Sequence, residues 1–555
     1  MEVFKGIGAS PGYMTGVIRF IKKGPGTVEK ETDADPAYEV ERFRAAKLDA
    51  QAQLSGLYAQ ALGKVGGNGA EIFNMHAMLL EDPDYVEAVE EMILLEGCRA
   101  EYAVHETGKS LSSMFASLDD DYMKERSADF LDISDRVVRI LQGGPQENAE
   151  ELPGPVLLAA EDLTPSQTIS LDKTVIRAIA IAAGSVNSHS AILARAMGIP
   201  AVVALGSGFD MAADGCSAII DGVEGLVILD PDKAALAQYE EKAVEYQRKQ
   251  AALECLKDMP SVTRDGRKVE VFANIADISD AGQALEHGAE GVGLFRSEFL
   301  YMDRREAPPE EEQFQAYKSV LEKMDGRRVV IRTLDIGADK QTECVPLDKE
   351  DNPALGYRAI RICLDREELF FTQVRALLRA SVYGRLAVMF PMIATVGEVR
   401  RAKAVVERAK LSLQAEGIPY SEEIEWGIMV ETPAAMLVAD LLAREVDFFS
   451  IGTNDLTQYI LAADRMNSKL SYLYDPMDTA VLRAICRTIR EGHRNGIWVG
   501  MCGEAAADPR LTRLLLAMGL DEFSVTPSRL LPLKKAILDA DIGKEELPDF
   551  LKEFL

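Results

Sequence analysis

The sequence predicts a multidomain α/β protein that ends in a (β/α)8 barrel, and three observations lead to this fold class. Residues 27–141 show long helical periodicities, few glycines and almost no strand signal. Strand signals resume at residues 154–160 and alternate with short helices up to Leu229. From Arg267 onward, short apolar segments recur between helical patterns. A chain of 555 residues is too long for one core and is expected to form roughly three or four domains.

The helical block is predicted to be a bundle inserted into an α/β domain. Residues 6–12 are typical of a glycine-rich turn, and a short strand follows at residues 16–21. Because this stretch is too short to fold alone, we expect it to join the α/β unit that follows the block. Two helix faces are expected in the bundle, the first formed by Val40, Phe43, Leu48, Leu54, Leu57 and Leu62 and the second by Ile72, Met75, Met78, Leu79 and Leu80.

The predicted domain boundaries follow from these patterns. We expect an α/β domain of residues 1–26 and 145–230, a helical insert of residues 27–144, a charged linker helix of residues 231–260, and a barrel of residues 261–555. A doubly wound open sheet is the alternative to the barrel. The expected barrel strands are residues 268–275, 291–295, 328–334, 386–392, 426–431, 446–451, 497–501 and 522–525.

Composition limits the classes of partner. A formal net charge of −29 argues against nucleic acid or an anionic membrane as the main partner. A basic protein partner fits better, although solubility alone also accounts for the charge. The seven cysteines are scattered and odd in number, so neither a disulfide framework nor a zinc site is indicated. With no secretory segment and no apolar run of membrane-spanning length, we expect a cytoplasmic protein.

His189 is a candidate nucleophile in the α/β domain. It lies in a small-residue loop, residues 184–190, between an apolar strand and the helix-forming residues 191–197. Backbone N–H groups at a helix start favour an anion, so a transferred anionic group would be stabilised beside the imidazole. The motif alone is weak, and a capping or structural histidine is the competing interpretation.

Charged side chains follow the expected barrel strands, where barrel enzymes carry their chemistry. Several guanidinium groups on one rim suit a ligand that carries phosphate and carboxylate together. Two carboxylates on neighbouring strands suit Mg2+. The arginines are Arg296, Arg332, Arg358 and Arg465; Glu431 and Asp455 are the carboxylates, and Asn454 precedes Asp455.

Cys502 is the cysteine that we single out for a chemical role. It follows the seventh expected strand and lies between Gly500 and Gly503. A thiol with an ordinary pKa is mostly protonated at neutral pH, so Cys502 can deliver a proton to an enolate carbon. A buried core thiol is the alternative.

These motifs together resemble the enzyme I family of the bacterial phosphotransferase system over essentially the full chain. They recur in the family's order. The motifs are GASPG at residues 8–12, DYMKER at 121–126 with Asp129 and Asp132, DLTPS at 162–166, SHSAI at 188–192, GLFRSEFL at 293–300, RTLDIG at 332–337, VETP at 430–433, GTNDL at 452–456 and CGE at 502–504.

The resemblance implies a swivelling phosphohistidine domain and a reaction. Phosphoenolpyruvate is expected to bind Arg296, Arg332, Arg358 and Arg465 near Asn454, with Mg2+ held by Glu431 and Asp455. His189 is expected to accept the phosphoryl group, Thr168 to orient the imidazole, and Cys502 to protonate the enolate to pyruvate. The phosphoryl group then passes to a histidine of the phosphocarrier protein HPr, docked on the helical insert, as the first step of sugar transport. The resemblance also implies a homodimer formed through the barrel half.

One loop departs from the family pattern. Ser185, Val186 and Asn187 stand where the family commonly has Gly, Arg and Thr before the Ser-His pair. The loss of an arginine removes a cation near the phosphoryl group, which bears on rate and partner choice. Two alternatives stay open. One is a Mg2+-dependent lyase acting on a pyruvate-type substrate in the barrel, and the other, which the altered loop makes plausible, is a non-catalytic or specialised phosphorelay paralogue.

Overall fold

The computed structural model describes residues 1–21, 28–32, 34–117, 121–143, 154–163, 167, 174–185, 188–302, 304–337, 342–544 and 548. Within helices, the side chains of residues 60–71, 121–126, 128, 189, 192, 193, 196 and 468 are not described. The chain divides into two compact units, Met1–Gln250 and Ala251–Leu555, and each is described by itself.

An eight-stranded mixed sheet forms the centre of the first unit, in the order β1-β8-β7-β3-β4-β5-β6-β2. Strand β3 lies between β7 and β4, so strands from both sides of the helical block share one sheet. This arrangement confirms that the helices are inserted into the α/β domain. The strands are β1 (Glu2–Lys5), β2 (Ile7–Ser10), β3 (Tyr13–Ile21), β4 (Val156–Ala160), β5 (Ile176–Ile181), β6 (Ala201–Val203), β7 (Ser217–Asp221) and β8 (Leu226–Leu229).

The inserted block consists of long helices with polar caps at their starts. Asp35 and Asp82 each accept a hydrogen bond from the second backbone N–H that follows, and each precedes a proline at the first helical position. The helices are α1 (Pro36–Leu79), α2 (Pro83–Glu96), α3 (Ala100–Ala116) and α4 (Asp121–Leu141). The two predicted apolar faces lie mostly on α1, a single helix of 44 residues. Leu48 and Met78 were wrongly assigned to buried faces, since they are 63% and 66% exposed.

The sheet packs on both faces because neighbouring strand residues point in opposite directions. Leu158 of β4 belongs to a core shared with α1–α4, whereas its neighbour Leu157 belongs to the core on the other face. Helix α5 (His189–Met197) follows β5, and its Ala191 and Ala194 are buried in the core shared with the helices. The strand, loop and helix order expected around His189 is therefore confirmed.

The predicted linker helix is α6 (Lys233–Glu254). Its first half packs on the sheet, where the Tyr239 hydroxyl donates to Asp221 at 3.2 Å. Lys242 lies 4.3 Å from the centre of the Tyr239 ring. No helix in the described part of the chain is both long enough and apolar enough to span a membrane.

The second unit is a closed parallel barrel, which confirms the prediction and excludes the open sheet. Every expected strand is present, with ends that differ by a few residues. They are β9 (Glu270–Ile275), β10 (Val292–Arg296), β11 (Val329–Arg332), β12 (Leu386–Phe390), β13 (Glu425–Val430), β14 (Phe448–Ile451), β15 (Trp498–Met501) and β16 (Glu522–Val525).

Apolar side chains fill the barrel, and helices surround it. Leu294, Met389, Met429 and Phe448 are buried in the interior cluster, which also includes Cys502. The helices are α7 (Asp280–Glu286), α8 (Glu310–Lys323), α9 (Ile360–Asp365), α10 (Glu367–Ala380), α11 (Val396–Glu416), α12 (Pro433–Leu437), α13 (Ala439–Leu442), α14 (Thr453–Leu461), α15 (Thr479–Arg494), α16 (Thr512–Met518) and α17 (Leu530–Asp539).

The amino ends of the strands carry a partly buried cluster of charged side chains. Arg328 pairs with Glu270 at 2.6 Å and Glu425 at 3.0 Å and lies over the Trp498 ring at 4.6 Å. Because conserved chemistry in such barrels lies at the carboxyl ends, we assign this cluster a structural role.

Candidate active site

The barrel residues that the sequence singled out line one cavity of about 500 Å³. They follow different strands, and their convergence results from the parallel barrel, whose strand ends all open at one face. The structure brings together Arg296, Arg332, Arg358, Glu431, Asn454, Asp455, Arg465 and Cys502.

Two of the arginines are buried and held by carboxylates. Arg332 ends β11 and pairs with Glu298 and, at 2.8 Å, with Asp335. Arg358 pairs with Asp335 at 3.1 Å and contacts Asp455 at 3.4 Å. Burial lowers the pKa of both guanidinium groups, but Asp335 and the other carboxylates raise it above its ordinary value. Both side chains therefore carry fixed positive charge.

The other two arginines are exposed at the cavity wall. Arg296 ends β10, and its guanidinium has no ion-pair partner among the described residues. Arg465 follows α14, and its backbone N–H donates to Gln458 at 3.0 Å. An exposed guanidinium group can turn toward an incoming phosphate or carboxylate, which suits the entrance of an anion site.

Glu431 is a fully buried carboxyl group directly after β13. One oxygen, Oε1, accepts the backbone N–H of Met392 at 2.6 Å, while Oε2 has no hydrogen-bond partner among the described residues. Burial, with the nearby charges of Asp455 and Asp335, raises the pKa of Glu431 to about 8. Gly452 makes room for this group, since a side chain there would lie 2.7 Å from Oε2.

The carboxylates fit a divalent cation that also uses substrate oxygens. Glu431 keeps one buried oxygen without a hydrogen-bond partner among the described residues, and burial with Asp455 and Asp335 raises its pKa more than the nearby Arg332 and Arg358 lower it. A further cation would therefore stabilise the ionised carboxylate. Among the described residues, no group of three or more His, Cys, Asp or Glu side chains is arranged to hold a metal. Mg2+ needs only one or two carboxylates, because water and substrate complete its shell. Glu431 and Asp455 fit this pattern.

The Cys502 thiol faces the cavity from the end of β15 and is only 4% exposed. Burial raises the pKa of Cys502 to about 12, so the thiol keeps its proton at neutral pH. Asn454 holds the following loop, because its side chain donates to Glu504 at 3.2 Å and accepts the Glu504 N–H at 2.9 Å. Gly503 allows the loop to approach α14, since a Cβ there would lie 2.5 Å from the Thr453 nitrogen.

The candidate nucleophile lies in the first unit. His189 is the first residue of α5, after Ser188, whose hydroxyl donates to the Ser185 carbonyl at 2.8 Å. Thr168 lies outside the described residues, as do Val186 and Asn187 of the departing loop. The orienting role expected of Thr168 stays a prediction.

Sequence reasoning assigned no role to other cavity residues. Asp335 lies three residues after Arg332, and the rule that chemistry follows strand ends would have selected it. Glu298, two residues after Arg296, is buried and pairs with Arg332, although it does not line the cavity itself. Met429, Met466 and Tyr474 also line the cavity, and no sequence pattern distinguishes them from core or surface residues.

The fold and the site together define a class of protein. A cavity lined by four arginines at one end of a barrel follows, along the chain, an α/β unit with a histidine at a helix start. Family models match this organisation in three consecutive parts. Residues 5–126 match "PEP-utilising enzyme, N-terminal", residues 152–225 "PEP-utilising enzyme, mobile domain", and residues 250–542 "PEP-utilising enzyme, PEP-binding domain". The chain is thus a phosphoenolpyruvate-utilising enzyme by its domains.

Curated relatives identify the family within that class. A phosphoenolpyruvate-protein phosphotransferase of Bacillus subtilis is 45% identical over 100% of this chain and 97% of its own. One from Bacillus sp. is 47% identical over 98% of this chain and 94% of its own, as is one from Geobacillus stearothermophilus. The chain belongs to the family of phosphoenolpyruvate-protein phosphotransferases.

Proposed function

We propose that this protein transfers the phosphoryl group of phosphoenolpyruvate to His189 and then to a histidine of the phosphocarrier protein HPr, releasing pyruvate. It would thereby begin sugar transport by the phosphotransferase system. The observation that carries the proposal is the barrel cavity, which combines four arginines, two neighbouring acidic groups and a protonated thiol. A chain of this family with an intact cavity is expected to be an active transferase.

The arginines bind and orient the substrate in this proposal. Arg332 and Arg358 are fixed by buried ion pairs, so they present positive charge without rearrangement when the anion enters. Arg296 and Arg465 are exposed and close on the remaining anionic oxygens. Phosphoryl transfer depends mainly on positioning and charge neutralisation, and these side chains supply both.

Glu431 and Asp455 would hold the metal ion, which we take to be Mg2+. The bound ion supplies additional positive charge to the oxygens of the substrate. Glu431 would have to be ionised to hold the ion, and because its pKa is raised, it would give up a proton to do so.

His189 and Cys502 complete the reaction. The neutral imidazole attacks phosphorus, so that a nitrogen–phosphorus bond forms while the bond from phosphorus to the enol oxygen breaks. The enolate that leaves takes the thiol proton of Cys502 at its methylene carbon, which yields pyruvate. With a pKa of about 12, the thiol of Cys502 stays protonated at neutral pH until the more basic enolate carbon forms beside it.

The partner, the assembly and the location belong to the same proposal. The helices of the insert expose apolar side chains, among them Met78, Leu95 and Met114, which suits a surface that docks another protein. We propose HPr as that protein, a homodimer through the barrel half, and a cytoplasmic location.

The test uses phosphoenolpyruvate labelled in its phosphorus, with Mg2+ and the full chain. We expect a label on the protein that is labile in acid and stable in base, and we expect addition of HPr to remove it. His189→Gln should abolish the label, whereas His287→Gln in the barrel unit should retain it. A label that persists in His189→Gln, or no label in the native protein, contradicts the mechanism.

The same experiment separates the alternatives. A lyase in the barrel predicts repeated conversion of substrate that survives His189→Ala. A non-catalytic relay protein predicts binding of HPr with no uptake of label.

A further inference from the structure

Asp335 joins the two buried arginines of the cavity. It follows β11 and is 2% exposed. Its Oδ2 accepts from Arg332 Nη1 at 2.8 Å, and its Oδ1 accepts from Arg358 Nη2 at 3.1 Å. The other terminal nitrogen of Arg332, Nη2, pairs with Glu298, and the other terminal nitrogen of Arg358, Nη1, contacts Asp455. Acidic and basic groups therefore alternate in one buried chain with Asp335 at its centre.

The charges explain why a carboxylate is needed at this point. Arg332 and Arg358 are 5% and 6% exposed, so water screens their mutual repulsion poorly. Burial lowers the pKa of each guanidinium group, and Asp335 is the strongest of the acidic neighbours that raise it. Without Asp335, each arginine would keep only its outer carboxylate, Glu298 for Arg332 and Asp455 for Arg358, and the two guanidinium groups would move apart.

The backbone brings Asp335 and Arg358 together. Gly337 lies so close to Arg358 that a Cβ on it would be 2.5 Å from the Cβ of Arg358. The N–H of Ala359 donates to the Ile336 carbonyl at 3.0 Å. Ala359 itself has a φ of +54°, a conformation that costs free energy in a residue other than glycine. The segment that carries Arg358 is therefore fixed against the loop after β11.

We propose that Asp335 is a positioning residue that sets the separation and orientation of the Arg332 and Arg358 guanidinium groups for one anionic substrate. Both of its oxygens are engaged by arginines, so its role differs from that of Glu431 and Asp455. The inference rests on the proposed function in one respect, namely that phosphoenolpyruvate is the anion. It extends that function by assigning a residue that acts through the arginines.

The chain offers a matched control. Glu310 at the start of α8 also bridges two arginines, Arg375 at 2.6 Å and Arg379 at 2.7 Å. This bridge links helices on the outside of the barrel, and none of its members lines the cavity. Glu310→Gln and Asp335→Asn therefore remove the same kind of interaction from the same unit.

The experiment compares the native full chain with Asp335→Asn, Asp335→Glu and Glu310→Gln. For each, calorimetry in a His189→Gln background, which takes up no phosphoryl group, measures the Kd of phosphoenolpyruvate with Mg2+. With His189 intact, stopped-flow measures kcat/KM for pyruvate release with HPr, and melting gives Tm. We expect Asp335→Asn to raise the Kd at least tenfold and to lower kcat/KM by about 100-fold. Asp335→Glu keeps the charge and should recover part of the affinity. Glu310→Gln should leave the Kd within twofold even where it lowers Tm.

The outcomes separate the two proposals. A native Kd in Asp335→Asn overturns the positioning role, as does an equal loss in Glu310→Gln, which would indicate general destabilisation. If Asp335→Asn does not fold, Asp335→Glu decides, since a longer side chain must displace the guanidinium groups and raise the Kd at an unchanged Tm. Native protein that binds phosphoenolpyruvate but takes up no phosphoryl group would refute the proposed function and leave the positioning role standing.

Discussion

Binding of Mg2+ to the free protein should release a proton from Glu431. With a pKa of about 8, this carboxyl is about nine-tenths protonated at pH 7, so the metal displaces about 0.9 proton on binding. The apparent metal affinity should rise about tenfold from pH 6 to pH 7 and about fivefold from pH 7 to pH 8, and then level off. The cause is burial beside Asp455 and Asp335, which disfavours the ionised form of Glu431 more than Arg332 and Arg358 favour it, so a further cation is needed to ionise it fully at neutral pH.

Titration calorimetry in two buffers of different ionisation enthalpy measures this proton release directly. Glu431→Gln should bind Mg2+ weakly and without proton release. Glu522→Gln is a control, because Glu522 is also a fully buried carboxyl of the barrel whose pKa is raised by burial and by Glu270, yet it begins β16 at the opposite end. An affinity that does not change between pH 6 and pH 8, with no proton released, would refute the reasoning.

Three further predictions follow from the structure. Cys502→Ser should slow pyruvate release in a single turnover by about 100-fold with little change in the Kd of phosphoenolpyruvate, and an unchanged rate would remove Cys502 from the mechanism. The raised pKa of Glu522 means that the native protein loses stability as the pH rises from the ordinary Glu pKa toward the raised value. Glu522→Gln should abolish this loss, as measured by Tm from pH 5 to 9, and equal pH profiles for the two proteins would contradict this. Gly503→Ala places a Cβ 2.5 Å from the Thr453 nitrogen and should cost about 1–3 kcal/mol of stability by denaturant unfolding, whereas Gly282→Ala, with nothing within 4 Å of the added carbon, should cost none.

The barrel could be predicted because each of its strands is a short apolar run between helical patterns. Strands β9–β16 are buried on both sides, which produces a continuous hydrophobic signal in the sequence. Because the carboxyl ends of all eight strands meet at one face, the barrel fold alone predicts that residues distant in the sequence share one cavity.

The edge strands of the α/β unit could not be predicted in the same way. Residues 6–12 were assigned to a turn, and no strand was assigned to β1, but β1 and β2 both occur. Val3 and Ile7 are 52% and 50% exposed, so these strands lack a clear buried face. Their partners, β8 and β6, lie some 200 residues away, and only tertiary pairing reveals them.

The roles of charged residues in the cavity were predictable only in part. Position after a strand identified Arg332 and Arg358, and the same criterion applies to Asp335. That Asp335 contacts both arginines depends on the path of the long loop between β11 and α9, which residue types do not specify. The raised pKa of Glu431 likewise depends on burial and on neighbours from other strands.

The most direct test of the central claim is the stoichiometry of pyruvate release. Mixed with excess phosphoenolpyruvate and Mg2+ in the absence of a phosphocarrier, the protein should release about one pyruvate per chain and then stop, because the proposed acceptor, His189, can hold one phosphoryl group. Addition of HPr should restart release, and His189→Gln should show neither phase. Continuous release of pyruvate without an acceptor, or a burst that survives His189→Gln, would contradict the account.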